Sequence, residues 1–478
     1  MIKFGQWASA AVGRSVLPRA SAQFWALCLL LTACFLIGGS ARGEVASLMI
    51  LRPLAILILG FALWRLQRAQ LRAHWFIIAM ALAVIALPAL QLIPMPPLLW
   101  HQLPGRNLIA EIDRVAELGQ VWRPLSLTPP ETRNALFAAL VPFAALVLGV
   151  QLAHEELYRL LVVVLLLGGT SAVIGLLQTL GDPDGPLYFY ATTNNGLAVG
   201  LFANRNHQGV LLAMMLPLLA VLASARPERG GVRPEQIAAI LGGLCLLPLL
   251  LVTGSRVGLI CGVAGLLAVP ALIRPAPRGS HRSDKPGKTK SRLSQPLWIA
   301  GGFGLLALAL ITLTIMLGRG AAWDRLVATG SSSDFRVQIL PTLKTMIARY
   351  FPFGTGMGSF ERVYQVHEPD ALLSPIYMNH AHNDWLEVLL NAGVAGVLLL
   401  VAAIAAFGIR AARVFSLRAP QSREIQYARV GLVLVILAAI ASISDYPLRT
   451  PSLASLFVVA VLWASCPLPK TGTVLGGE

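Results

Sequence analysis

Apolar blocks about 20 residues long, broken by short polar stretches, recur along almost the whole chain, and a helix of that length crosses roughly 30 Å of hydrocarbon. The blocks fall at 22–40, 45–64, 74–93, 135–152, 161–178, 209–224, 237–252, 257–273, 297–317, 384–407, 429–447 and 452–467. Internal repeats and a sustained coiled-coil heptad are lacking. The pattern predicts an all-α polytopic membrane protein of about 12 transmembrane helices forming one membrane domain over 1–478. It also predicts where polar chain collects: loops at 94–134 and 181–208, a basic linker at 274–296, and a large, partly helical loop at 318–383.

Composition agrees with this pattern. The chain is 56% hydrophobic and 13% charged, about half the charge of an ordinary soluble domain. Its five cysteines, Cys28, Cys34, Cys245, Cys261 and Cys466, all fall in apolar segments without a CxxC pair. Small buried hydrophobes are therefore expected, and neither a disulfide framework nor a zinc site. The apolar stretch Phe24 to Ile37 follows a basic start and resembles a signal peptide, but no small-residue cleavage site follows it, which predicts a retained first helix.

The net charge of +16 is explained by where the basic residues lie. Lys and Arg are dense in the short segments at Arg65–Arg72, Arg226–Arg233, Arg274–Arg292 and Arg410–Arg429. The positive-inside rule then sets both termini in the cytoplasm and the long loops outside. On this basis the 274–296 linker is a solvated cytoplasmic segment near anionic lipid, not a nucleic-acid site.

Arginines at helix ends in such a protein are candidates for function. Three face outward in the predicted topology: Arg205 in FANRNHQG beside Asn204, Asn206 and His207, Arg256 in the short TGSR connection, and Arg336 in the start of a helix after SSSD. Guanidinium groups converging there suit a phosphate or diphosphate, to which the planar fork donates paired hydrogen bonds. The alternative is that each snorkels to lipid headgroups or pairs with a carboxylate. Pro341 is expected to kink the loop helix or start a second one. GTGMGSF lacks the Lys-Ser/Thr of a P-loop, which predicts a turn of unusual backbone angles.

A second constellation, NHAHNDWLE, places His380, His382, Asn383 and Asp384 where the large loop enters an apolar block, with Glu387 one turn on. An imidazole there is suited to accept a proton from a hydroxyl, an amide to orient a sugar, and Glu387 to orient a histidine or arginine. Two alternatives stand beside this: Asn383 or Asp384 caps the next helix, or His380, His382 and Asp384 bind a metal. The i, i+2 histidine spacing and the lack of a further well-spaced ligand weigh against metal. NAGVAG, at Gly393, is expected to be close helix packing through small residues.

TGSRVGLI, DFRVQILPTLKTMIARYFPFGTGMGSF and HAHNDWLEVLLNAGVAG, in this order around one large outward loop, resemble the bacterial O-antigen ligase and polymerase superfamily. The resemblance covers about 200–400, with a weaker echo in WRPLSLTPPETR. It implies a GT-C-like, metal-independent, inverting glycosyltransferase of the inner membrane without a cofactor. The implied donor is a glycan on undecaprenyl pyrophosphate, and the implied acceptor is lipid A-core or another glycan. The family's arginines match Arg256 and Arg336, and its histidine before Asn matches His382, so these three are the expected catalytic residues. Arg205, His380, Asn383, Asp384 and Glu387 are expected to bind substrate, with the division of work between His380 and His382 open. A polysaccharide polymerase of the same superfamily and a secondary transporter are the rival functions. Against transport, the only charge expected well inside a span is Arg52, and the polar mass lies in an outward loop.

Overall fold

The computed structural model describes residues 20–224, 234–273, 335–373, 377–417 and 422–468. The described chain is predominantly helical. It runs through α1 (Ala22–Ile37), α2 (Leu48–Arg65), α3 (Arg68–Ala73) and α4 (Trp75–Gln91) before a cap built of β1 (Pro94–Met95), α5 (Pro97–Trp100), α6 (Asn107–Val115) and β2 (Arg123–Pro124). Next come α7 (Pro129–Gly149), α8 (His154–Leu180), α9 (Arg205–Ala223), α10 (Pro234–Val252) and α11 (Arg256–Leu272). Past 335 lie α12 (Phe335–Gln338), α13 (Leu340–Tyr350), α14 (Phe360–His367), α15 (Asp384–Phe415), α16 (Arg423–Ala441) and α17 (Pro451–Ala464).

Among the described residues, seven helices (α2, α7, α8, α9, α10, α15 and α16) are long and apolar enough to cross a bilayer, and α1, α4, α11 and α17 are shorter apolar helices. Every expected span except the ninth falls on one of these eleven. The ninth, 297–317, lies outside the described residues, as do the basic linker 274–296 and the SSSD stretch with Asp334.

Chain direction alternates through the bundle, so its loops gather at two ends. At one end Gln151 Nε2 donates to Ala62 O (2.9 Å), Gln426 Nε2 to Leu272 O (2.9 Å) and Arg429 Nη1 to Ala271 O (2.8 Å), and Tyr158 meets Glu424. At the other end Ala203 N donates to Gly39 O (3.1 Å), Ser452 N to Gly38 O (3.2 Å) and Asp384 N to Ser442 O (2.9 Å). The cap and α12–α14 sit at this second end. The main core is aliphatic and lies between α1, α2, α7–α9, α11, α16 and α17. A smaller core of Ile339, Leu343, Met346, Tyr350, Phe360, Val363, Tyr364, Ala381 and Leu390 holds α12–α14 to the start of α15.

Boundaries moved where polar residues begin helices instead of ending loops. LTPPETR starts α7, with Pro129 and Pro130 in the first turn, where the missing N–H is harmless. FANRNHQG starts α9: Asn204 caps it by accepting from Asn206 N at 2.9 Å, so Arg205 belongs to a helix. Pro341 starts α13.

Two departures matter for function. The span expected at 429–447 stops at Ala441, and Ser442–Thr450 form a loop containing a 3₁₀ turn, Pro447–Arg449. The expected helix-packing role of Gly393 is also corrected. Gly393 breaks α15, with φ 55° and ψ −139°, a region open in practice to glycine alone. The break frees the carbonyls of Leu390 and Asn391, which accept from Thr355 N (3.0 Å) and Gly356 N (2.9 Å), while Val394 N donates to Pro352 O (2.9 Å). The glycine-rich turn thus supplies the backbone partners that the broken helix lacks, as a membrane-embedded break requires. Gln91 of α4 clamps both pieces, donating to Asn391 O (3.0 Å) and accepting from Met357 N (2.8 Å).

Arg106 ties the cap to this turn. It is buried, donates to Leu125 O (2.8 Å) and Gly354 O (3.1 Å), and lies between the rings of Trp100 and Tyr350. Burial pushes its pKa down to about 10. Carbonyl dipoles and aromatic faces are the groups that support its charge.

Candidate active site

A polar cleft of about 250 Å³ opens at the cap end of the bundle. The α1–α2 loop contributes Ser40 and Arg42, and the segment before α9 contributes Thr192, Thr193 and Asn194. Its deeper wall is Asn204, Arg205, Asn206, His207, Arg336, Asn379, His382 and Tyr446.

Asp445 is the anchor of that wall. It is fully buried, accepts from Asn206 Nδ2 (2.5 Å) through Oδ2 and from its neighbour Tyr446 N (2.9 Å) through Oδ1. Around it stand His382 Nδ1 at 3.4 Å, Arg336 Nη2 at 3.8 Å and His207 Nε2 at 3.9 Å. Burial on its own raises the carboxyl's pKa. The His382 contact and the charges of His207, His382 and Arg336 outweigh burial and hold it below the usual carboxylate range, so Asp445 is a carboxylate facing an imidazole. His382 itself has φ 50°, an uncommon conformation for a non-glycine residue of the kind that gathers at functional sites.

Tyr446 stands among three imidazoles, its ring 4.4 Å from His380, 4.9 Å from His382 and 5.2 Å from His207. Its hydroxyl donates to Asn379 Oδ1 at 3.4 Å. Burial and then Asp445 push its pKa up, so the phenol stays a proton donor.

Behind this wall lies a second ionic group. His380 Nδ1 is 3.0 Å from Glu387 Oε1, whose other oxygen accepts from Ala381 N at 2.9 Å. Arg449 bridges Asp384 (2.9 Å) and Glu387 (3.3 Å), and Ser442 Oγ donates to Asp384 at 3.2 Å. Burial alone would lower the Arg449 pKa, and the two carboxylates raise it instead. Removing one member of such a buried group costs about 3–5 kcal/mol.

The eight residues expected from sequence therefore separate. Arg205, Arg336 and His382 line the cleft. His380, Asp384 and Glu387 form the buried ionic group behind it. Asn383 caps α15, its Oδ1 accepting from Leu386 N at 3.0 Å, which is the cap alternative and not a cleft contact. Arg256 is exposed at the first turn of α11, outside the cleft lining. Its neighbour Ser255 caps that helix through Gly258 N (3.0 Å) and donates to Asn206 Oδ1 (2.9 Å), so the TGSR turn still joins the Asp445 network. Among the described residues no group of three His, Cys, Asp or Glu side chains is placed to hold a metal ion.

Asp445, Tyr446, Arg449 and Arg42 were not singled out from sequence. The signal for Asp445 was present, because a carboxylate inside an expected apolar span is costly without a task.

The chain's own match to a known family falls on this region. A family model described as O-Antigen ligase matches residues 241–401. This segment is similar to the O-antigen ligase family. The O-antigen ligase segment is about a third of the chain and contains Arg256, Arg336 and the whole His380–Glu387 motif. Arg42, Arg205, His207, Asp445, Tyr446 and Arg449 lie outside it, so their place in the site rests on geometry alone. No curated protein matches the chain.

Proposed function

We propose that the cleft transfers a glycan from undecaprenyl pyrophosphate to an acceptor hydroxyl at the periplasmic face of the bacterial inner membrane. The observation that carries this is His382 against buried Asp445, in one cleft with Arg336 and Arg205. A carboxylate at Nδ1 holds an imidazole in the tautomer whose Nε2 accepts a proton, and stabilises the imidazolium that results. Two guanidinium groups beside it suit a diphosphate leaving group.

The acceptor hydroxyl gives its proton to His382 as its oxygen bonds to the anomeric carbon. On the opposite face the bond from that carbon to the phosphate oxygen breaks, and its electron pair leaves with the diphosphate, which inverts the anomeric centre. Arg336 and Arg205 meet the charge that grows on the leaving oxygens, an interaction stronger in the transition state than before it. Arg256, outside the cleft wall, is assigned to the part of the diphosphate nearer the lipid chain. At about 250 Å³ the cleft is smaller than a drug-sized pocket of about 300–1,000 Å³, which suits a diphosphate with its first sugar and leaves the rest of the glycan outside. Lipid A-core and a second lipid-linked glycan remain the two acceptor classes, ligase and polymerase respectively.

The test is transfer in proteoliposomes that hold purified protein, lipid-linked donor and acceptor. His382→Ala is expected to slow transfer by about 10²–10⁴, and Arg336→Ala by about 10²–10³. Arg336→Lys is expected to recover little, because an ammonium lacks the paired donors. Full activity in His382→Ala would overturn the assignment.

A further inference from the structure

We propose that α5 and α6 lie in the surface of the bilayer on the cleft side, with the apolar face of α6 among lipid acyl chains. The helix exposes more large apolar side chains than one bathed in water would. Its protein-facing side carries half-buried Ile109 and Ala110 together with charge: Asp113 is buried and paired with Arg123 Nε at 2.8 Å, and Arg106, just before the first turn, is buried among carbonyls. Its outward side carries Leu108, Ile112 and Val115 at i, i+4 and i+7, with Leu118 following, and these four are 48–69% exposed. Such a stripe on the face directed away from the protein is the mark of an interfacial helix.

Continuity with a membrane helix identifies what covers it. The exposed apolar surface begins on α4, an apolar helix of the bundle, and continues from Leu90 through Ile93 to Leu98 and Leu99 on α5. The β1–β2 pairing, with Met95 opposite Arg123, brings exposed Trp122 to the start of α5, and tryptophan favours the level of the headgroups. Glu111 and Arg114 pair with each other on the flank of α6 (2.9 Å), the position from which charged groups reach water. Exposed apolar residues thus recur from the apolar helix α4 through α5 to α6, with only the short stretch 101–106 between the last two, and they are suited to a single occupant, phospholipid. Since Arg106 ties the cap to the turn that braces α15, this contact would also hold the cleft at a fixed height above the hydrocarbon. The placement requires only that the protein be in a membrane, so it stands or falls separately from the transfer reaction.

The experiment uses the full chain with its five cysteines replaced by alanine, carrying Ile112→Cys or Glu111→Cys and labelled with the fluorophore NBD. Both proteins are reconstituted in phosphatidylcholine vesicles with and without lipid brominated near the glycerol end. Bromolipid is expected to quench the label at 112 at least twofold more than that at 111, and aqueous iodide is expected to show the reverse order. Equal quenching of the two positions by either agent would overturn the proposal. So would a label at 112 shielded from both agents, which would mean that a protein surface covers α6.

Discussion

At the scale of single residues, the site is a competition between burial and charge, and Asp445 is where it can be measured. Burial pushes this carboxyl up, and His382, His207 and Arg336 bring it below its ordinary value of 3.8. A carboxyl depressed by folding contributes stability that is fully present above pH 3.8 and is lost as pH falls through the folded value. Asp445→Asn removes that contribution and leaves three basic groups without their carboxylate, at a cost of about 3–5 kcal/mol. The gap in melting temperature between the native protein and Asp445→Asn in detergent is therefore expected to be wide at neutral pH. It should narrow as pH drops below 3.8, and a gap that stays constant would contradict the charge assignment. The sequence carried the cleft's basic half clearly, because Arg205, Arg336 and His382 stand in polar motifs between apolar blocks. Its acidic partner was passed over despite that cost, since one aspartate between two apolar runs was absorbed into the span expected at 429–447.

At the scale of elements, the existence of helices was legible and the break in one of them was not. Length and apolarity locate eleven described helices from the chain alone, because any segment of that composition must satisfy its backbone internally in lipid. The break at Gly393 depends on residues far away in sequence: Pro352, Thr355 and Gly356 approach the broken helix, and Gln91 closes it. No local pattern reports this. A Cβ at Gly393 would sit 2.0 Å from Pro352 O, and left-handed backbone costs a residue other than glycine about 1–2 kcal/mol more. Gly393→Ala is therefore expected to lower the melting temperature by several degrees and to reduce transfer, by shifting the segment that ends at His382. Gly408→Ala in the same helix meets nothing within 4 Å and is expected to be neutral or to stabilise by about 0.5–1 kcal/mol. Equal behaviour of the two variants in thermal unfolding would remove the bracing role of the turn.

At the scale of the whole molecule, the cleft works only if all its contributors face the same compartment. They come from five widely separated stretches, near 40, 192–207, 336, 379–382 and 446, and the alternation of the described helices brings them to one end of the bundle. Ile273 and Phe335, on either side of the expected ninth span, also lie at opposite ends: Leu272 bonds to Gln426 at one, and Phe335 packs in the small core under the cap at the other. The proposed transfer requires the cap end to be the outer one, which is the orientation that the basic short segments favour. Cysteine labelling tests this without reference to catalysis. In a chain freed of its own cysteines, Glu117→Cys is exposed on the cap, whereas Arg68→Cys and Glu155→Cys are exposed at the far end. A membrane-impermeant thiol reagent added to spheroplasts is expected to modify the first, and to reach the other two only after permeabilisation. The reverse pattern would put Arg336 and His382 in the cytoplasm, on the wrong side for a donor already flipped outward, and the proposed reaction would then have to be abandoned whatever the geometry of the cleft.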